Sequence, residues 1–240
     1  MSEMTSETQT LNVFSRIAAI FTSPRAAFAS VNAKPSWLLP FVIMTVVIVI
    51  SQYLILDISI DDRLAIMEAH DATAEQLNMV ASQSEGFMKY IGLAGAPIGM
   101  LIYWAVLAGV FVFAGNTVAG GDARYKNVFA MVSWGSLIGI VGSVVGTYLI
   151  LSKGTTHGVT TSLAILLPVP ELGASKPLLY RLLSHADLFA IWQAVVWVQG
   201  FQVMFKFDAR KAATVVLTLW GIWIAVSLAA GGLLGGRFGM

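Results

Sequence analysis

The chain has no cysteine. That excludes a disulfide framework, a thiolate nucleophile and any cysteine-based metal site. Charge is also scarce: Asp, Glu, Lys and Arg make up 11% of 240 residues, against about 25% in an ordinary soluble domain. So thin a supply cannot coat a globular surface facing water. The net charge of +1 gives no footprint for nucleic acid. The three histidines, His70, His157 and His185, fall in separate segments without ligand spacing, so no metal is expected. There is no GxSxG elbow, HExxH helix, P-loop or dinucleotide-binding glycine run. The sequence reads as non-enzymatic and without a cofactor.

What is there is apolar. Hydrophobic residues make up 57% and the mean hydropathy is +0.78. Crossing about 30 Å of hydrocarbon takes roughly 20 apolar residues in a helix. Five runs qualify, at about 37–56, 91–118, 127–151, 186–205 and 212–235. They must be helices, because an isolated strand in lipid leaves its backbone unpaired. The fold class is therefore all-α, a polytopic membrane bundle of five transmembrane helices with amphipathic interfacial helices before it. Residues 1–10 read as a disordered tail, 11–35 as the amphipathic arm and 36–236 as the membrane domain. The polar start "MSEMTSETQT" lacks the basic-then-apolar pattern of a cleavable leader.

In the arm, Val13, Phe14, Ile17 and Phe21 recur at helical spacing. Ser23-Pro24 marks a second helix start. This arm is expected to lie on the membrane surface with Arg16 and Arg25 facing headgroups. Lys and Arg are denser in the segments on the N-terminal side of the membrane, which places the N-terminus in the cytoplasm and the C-terminus outside. A bacterial inner (plasma) membrane fits. Segment 57–89 is acidic and should form one or two short outer helices, one capped by Thr73 with Gln76. Its carboxylates lack calcium-loop spacing and read as a solvated face. The apolar stretch 162–169 is too short to span.

A charged turn, "GGDARYKNVF" at 120–129, separates the second and third spans. Shifting the chain by 86 positions sets Asp122-Ala123-Arg124 on Asp208-Ala209-Arg210 and Trp134-Gly135 on Trp220-Gly221, with ten identities in 47 positions. Two spans separate equivalent points, so the copies would be parallel hairpins with the same sidedness. The cations Arg124, Lys126, Arg210 and Lys211 are candidates for contact with anionic headgroups or a protein partner.

Three stretches carry a family likeness: "FTSPRAAFASVNAKPSW", "GGDARYKNVFAMVSWGSL" and "LLSHADLFAIWQAVVWVQGFQVMFKFDARKA". In the last, Asp187, Leu188, Phe189, Ile191, Trp192, Gly200 and Lys211-Ala212 stand at the family's positions. In these segments the chain resembles the Yip family of Ypt/Rab-interacting membrane proteins, bacterial-type branch, over residues 14 to 236. The resemblance implies a five-span protein. Eukaryotic members associate with Rab GTPases largely through longer cytoplasmic N-terminal regions, and the short arm here gives no ground for carrying that binding over. The chain departs from the family where an aromatic is often followed by Pro. Here Trp134 is followed by Gly135, which removes the residue on which a kink would rest.

Polar residues inside the spans form a second set of candidates. Asp187 opens the fourth span, either as an ionisable functional group or as a first-turn partner of Ser184 in a capping box. Gln193, Gln199, Gln202 and Asn116 either bond between helices or line a polar path. Gly135/Gly139 and Gly142/Gly146 have the small-xxx-small spacing of close helix contact or a homo-oligomer. The leading function is a membrane-organising or partner-binding component, in envelope homeostasis or membrane trafficking, whose partners are lipids, a membrane protein or a second copy. The alternative is a transporter of a small molecule, ion or lipid.

Overall fold

The computed structural model describes residues 11–84, 86 and 90–238, and the side chains of all but 83 and 232–238 among them. The expected tail at 1–10, with Glu85 and Lys89 of the acidic segment, lies outside the described residues. Among the described residues ten α-helices follow in order: α1 Val13–Thr22, α2 Pro24–Ala33, α3 Leu38–Ala69, α4 Ala74–Gln83, α5 Ile91–Val112, α6 Tyr125–Gly135, α7 Ile138–Lys153, α8 Leu178–Ser184, α9 Leu188–Met204 and α10 Ala209–Phe238. A π-helical turn, Phe113–Val118, closes α5. The only β pairing among the described residues is the bridge Ser162 to Asp187. The chain is an all-α membrane bundle, with helices at all five apolar runs. Among the described residues, four stretches are long and apolar enough to cross a membrane: Leu38–Ala69, Ile91–Val118, Tyr125–Lys153 and Ala209–Gly231. α9 has 17 residues, about 25 Å at 1.5 Å per residue.

The chain divides into two compact units. One takes in the chain up to Ile43 with Leu101–Ile138 and Trp192–Thr218. Its centre is α6, in which Val128 and every residue from Ala130 to Gly135 are buried. A helix covered all round needs neighbours on every side, and α1 and α2 supply two of them. Asn127 donates to the Asn32 carbonyl and side-chain oxygens (3.1 and 2.7 Å), and the Trp134 indole donates to Ser36 O (2.7 Å). Phe111 meets Trp197 and Phe201 edge-on, with ring centroids 5.2 and 5.0 Å apart.

The arm corrects the expectation for Arg16. Its residues that turn inward are Arg16, Ala19 and Ile20, whereas Val13 and Phe14 are exposed. Arg16 is 6% exposed and faces protein, not headgroups. Its guanidinium donates to Ser30 Oγ (3.0 Å) and Ser36 Oγ (3.4 Å) and lies 5.1 Å from the Trp134 ring centroid. Burial lowers its pKa from the ordinary value. Two hydroxyls and an aromatic face take the place of a carboxylate, the ring contact being worth about 2 kcal/mol when desolvated. Arg25 is exposed, as expected.

The other unit takes in Met44–Met100, Gly139–Ile191 and the chain from Leu219. Here the expectation of short helices after residue 56 is corrected, because α3 runs on to Ala69. No Gly or Pro interrupts 57–69, so nothing stops the helix. It ends where Asp71 turns left-handed (φ 55°) and Ala72 N returns to Met67 O (3.0 Å), a Schellman-like close. The Thr73–Gln76 capping box is present in both directions. Asp62 accepts from the Thr155 hydroxyl (2.8 Å), the Thr156 hydroxyl and the Thr156 N–H (2.6 Å), which pins the turn after α7 to α3.

The glycines of α6 and α7 separate by position. A Cβ at Gly135 would sit 3.0 Å from Trp197 Nε1, and one at Gly142 3.1 Å from the Phe189 ring. At Gly146 a Cβ meets nothing within 4 Å. The closest approach among the described glycines is at Gly115, where a Cβ would enter the Phe205 ring. Gly115→Ala should therefore lower the thermal unfolding midpoint in detergent, by about 1–3 kcal/mol of overpacking. Gly146→Ala should be neutral or slightly stabilising, since Ala is the better helix former. Equal midpoints for the two variants would refute this packing.

Candidate functional site

Four of the five polar candidates, Asn116, Gln193, Gln199 and Asp187, bond to backbone groups. In the first unit, Asn116 lies in the π-helical turn, where the regular i to i−4 ladder is lost. Its amide donates to Ala123 O and accepts from Ala123 N–H, both at 2.9 Å, which closes the turn 117–123 on itself. Gln193 donates to Gly135 O at 2.8 Å. Gly135 is the last residue of α6, and two non-helical residues, Ser136 and Leu137, precede α7. The third run is thus interrupted where the sequence lacks the Pro that would break it. Ser133 and Ser136 fold their hydroxyls back onto Ala130 O (2.9 Å) and Val132 O (2.8 Å), an arrangement that bends helices. Gln199 Oε1 accepts from Arg25 N–H at 3.2 Å. Ser23 stands at the cap of α2 without a side-chain bond to it, so α9 supplies the acceptor that the local cap does not. Gln202 is half-buried and takes no part in these bonds.

In the second unit, Asp187 sits immediately before α9. Oδ1 accepts from Phe189 N–H (2.9 Å) and Ala190 N–H (3.0 Å), and Oδ2 from the Thr161 hydroxyl. The cap is Asp187 itself; Ser184, expected in that place, ends α8 and bonds back to Tyr180 O (2.8 Å). An anion at a helix N-terminus satisfies free N–H groups and meets the positive end of the helix dipole. His185 Nε2 is 2.7 Å from Ser227 Oγ. Arg181 donates to the carbonyls of Ser227 (3.2 Å) and Leu228 in α10. Among the described residues, no three His, Asp or Glu side chains gather as a metal site.

The cationic turns behave differently. Arg124, Lys126, Arg210 and Lys211 are all exposed. The two turns that carry them touch: a Cβ at Gly121 would lie 3.0 Å from the Phe205 ring and 3.1 Å from that of Phe207. Lys211 Nζ stands 4.4 Å from the centre of the Phe207 ring. Phe205 and Phe207 stack at 5.5 Å, forming an aromatic base beneath the second turn. Sequence reasoning placed the four cations but not this base, whose signal is the FKF triplet at 205–207. The side chains that sequence reasoning gathered thus separate into two sets: Asn116, Gln193, Gln199 and Asp187 close backbone gaps, and the four cations face outward on adjoining turns.

The fold and these turns define a polytopic all-α membrane protein. The model of the Yip1 domain matches residues 18–231, and the chain belongs to the Yip family. No curated protein and no solved structure matches it.

Gln193→Leu removes the donor to Gly135 O. An unpaired buried carbonyl costs about 1–3 kcal/mol, so this variant should melt clearly below wild type in detergent, while Gln202→Leu stays within about 0.5 kcal/mol of it. A Gln193→Leu protein that melts like wild type would show that the bond at the helix break contributes nothing.

Proposed function

We propose that this protein is a non-enzymatic organiser of its membrane, which holds anionic headgroups or a membrane-protein partner at the paired turns carrying Arg124, Lys126, Arg210 and Lys211. The observation that supports this reading is the contrast within the candidate set. Four of the five polar side chains a substrate path would use, Asn116, Gln193, Gln199 and Asp187, are occupied with backbone groups, Gln202 being the exception, whereas the four cations are exposed on adjoining turns. Each Lys or Arg beside an anionic leaflet is worth about 1 kcal/mol, so four together amount to a substantial attraction. The exposed Val13 and Phe14 of α1 would rest in the same interface. A transporter of a small molecule, ion or lipid would instead need Asn116, Gln193, Gln199 or Asp187 free to face a path beside Gln202.

On this reading the protein crosses a bacterial inner membrane five times with its N-terminus in the cytoplasm, and serves envelope homeostasis or membrane trafficking. A homo-oligomer or a second membrane protein is its protein partner. The absence of cysteine makes the topology directly testable. Lys126→Cys should react with a membrane-impermeant maleimide only in inverted vesicles, and Lys176→Cys only in intact spheroplasts. The reverse pattern would invert the proposed orientation.

The lipid role has its own test. Nanodiscs assembled from mixed lipids around the wild-type chain should be enriched in anionic lipid. Replacing Arg124, Lys126, Arg210 and Lys211 by Gln should reduce the enrichment several-fold, with transport assays in proteoliposomes run beside it. Unchanged enrichment and unchanged partner capture in the variant, or substrate flux by the wild type, would defeat the organiser reading.

A further inference from the structure

The second unit holds a cavity of about 800 Å³ between the end of α3, α4 and the segments 156–159 and 169–180. Clefts of this size commonly hold a small organic ligand. Its walls are fixed by specific contacts. Asp62 pins the turn at 155–156, and Lys153 Nζ donates to His157 O at 2.6 Å. Gly158 (φ +66°) lies so close to the opposite wall that a Cβ would meet Val169 at 2.7 Å, and Gly173 (φ +80°) lies where a Cβ would meet the His70 ring at 3.0 Å. Both turns need glycine, for backbone angle and for space.

The lining has two characters. Met67, Met79, Val80, Val159, Val169 and Leu172 make an apolar surface, and Met79 and Val169 are about half exposed, at 54% and 47%. Asp71, Glu171 and Lys176 stand at the rim, all exposed and without an ion pair or side-chain hydrogen bond among the described residues. Carboxylates thus outnumber the ammonium by two to one. Just outside the lining, one charge of each sign is engaged with the wall: the Asp62 carboxylate with Thr156 and the Lys153 ammonium with His157 O, so the surplus rests on Asp71 and Glu171. The His70 ring is bonded through Nδ1 to Ile66 O (2.8 Å), so in its neutral form Nδ1–H donates and Nε2 is left as an acceptor. An apolar floor under an acceptor-rich, negative rim is complementary to one chemistry and repels its opposite.

We propose that this cavity binds an amphiphile with an ammonium group on an apolar chain. The chain lies among Met67, Met79, Val80 and Leu172, and the ammonium between Asp71 and Glu171. An ethanolamine phospholipid and a soluble alkylamine share that chemistry. The site is separate from the cationic turns and does not depend on their role.

The test uses the full chain in phosphatidylcholine nanodiscs, with empty nanodiscs subtracted. Radiolabelled decylamine should bind saturably at one site per chain, and decanoate, with a chain of the same length and the opposite charge, at least tenfold more weakly. The double variant Asp71→Asn, Glu171→Gln should weaken decylamine about tenfold, and Met79→Trp, which fills the cavity from an exposed position, should abolish saturable binding. Both variants are accepted only with a wild-type melting curve, and the charge variant decides the matter if Met79→Trp fails to fold. Competition by phosphatidylethanolamine added to the discs identifies a lipid occupant; its failure to compete identifies a soluble amine. Absence of a saturable component in the wild type, equal affinity for decanoate, or undiminished binding in the folded charge variant overturns the proposal.

Discussion

Hydrocarbon offers a backbone N–H or C=O no partner, and that constraint shapes this molecule more than any single contact. A straight helix satisfies it unaided, whereas every departure from one exposes groups that cost energy until something else bonds them. This chain departs at the π-helical turn 113–118, at the break 136–137, and at the starts of α2 and α9. At each point one polar side chain closes the gap: Asn116, Gln193, Gln199 and Asp187 respectively. Three of the four candidate amides close such gaps, and Gln202 does not.

The same constraint explains how a cation comes to lie beneath the N-terminal arm. Arg16 projects inward from α1, and its donors reach Ser30 and Ser36 while its face meets Trp134. Trp134 in turn donates to Ser36 O, so the residue that stacks on the guanidinium also anchors the link between α2 and α3. Arg16 Nε has no partner among the described residues, and the ring face partly offsets that loss. The arm is therefore joined to α6 by a small polar core, and the apolar residues Val13 and Phe14 are left on its outside.

Much of the architecture was legible because long apolar runs have few physical solutions. The all-α class, the helices near the five runs and the Thr73–Gln76 box follow from composition, spacing and local chemistry, and the family from the three stretches that resemble it. What was not legible depends on contacts made across the sequence. The break after Gly135 needs no Pro; it arises where Ser133 and Ser136 bond backward and a distant Gln193 takes the carbonyl. Arg16 looked like a headgroup contact because helical spacing alone sets Val13, Phe14, Ile17 and Phe21 on the membrane surface and leaves Arg16 beside them, and only the contacts with Ser30, Ser36 and Trp134 bury it within the protein. The Asp62 clamp joins residues more than 90 positions apart, and no short-range pattern announces it.

The repeated Asp-Ala-Arg triplet shows how far a sequence echo reaches. Asp208 caps its helix: Lys211 N–H donates to Asp208 Oδ1 at 2.8 Å, and α10 begins at Ala209. Asp122 does not, because α6 begins two positions later in register, at Tyr125, and Arg124 occupies the cap position without a side-chain bond. The reason lies upstream. Asn116 holds Ala123 by both its N–H and its carbonyl, so the first copy of the turn is bound to the π-helical segment and cannot start a helix where the second does. Identical residues thus perform different local tasks while keeping one property in common, a short polar turn with exposed cations between apolar helices. The echo is one of residue type, while the local geometry differs.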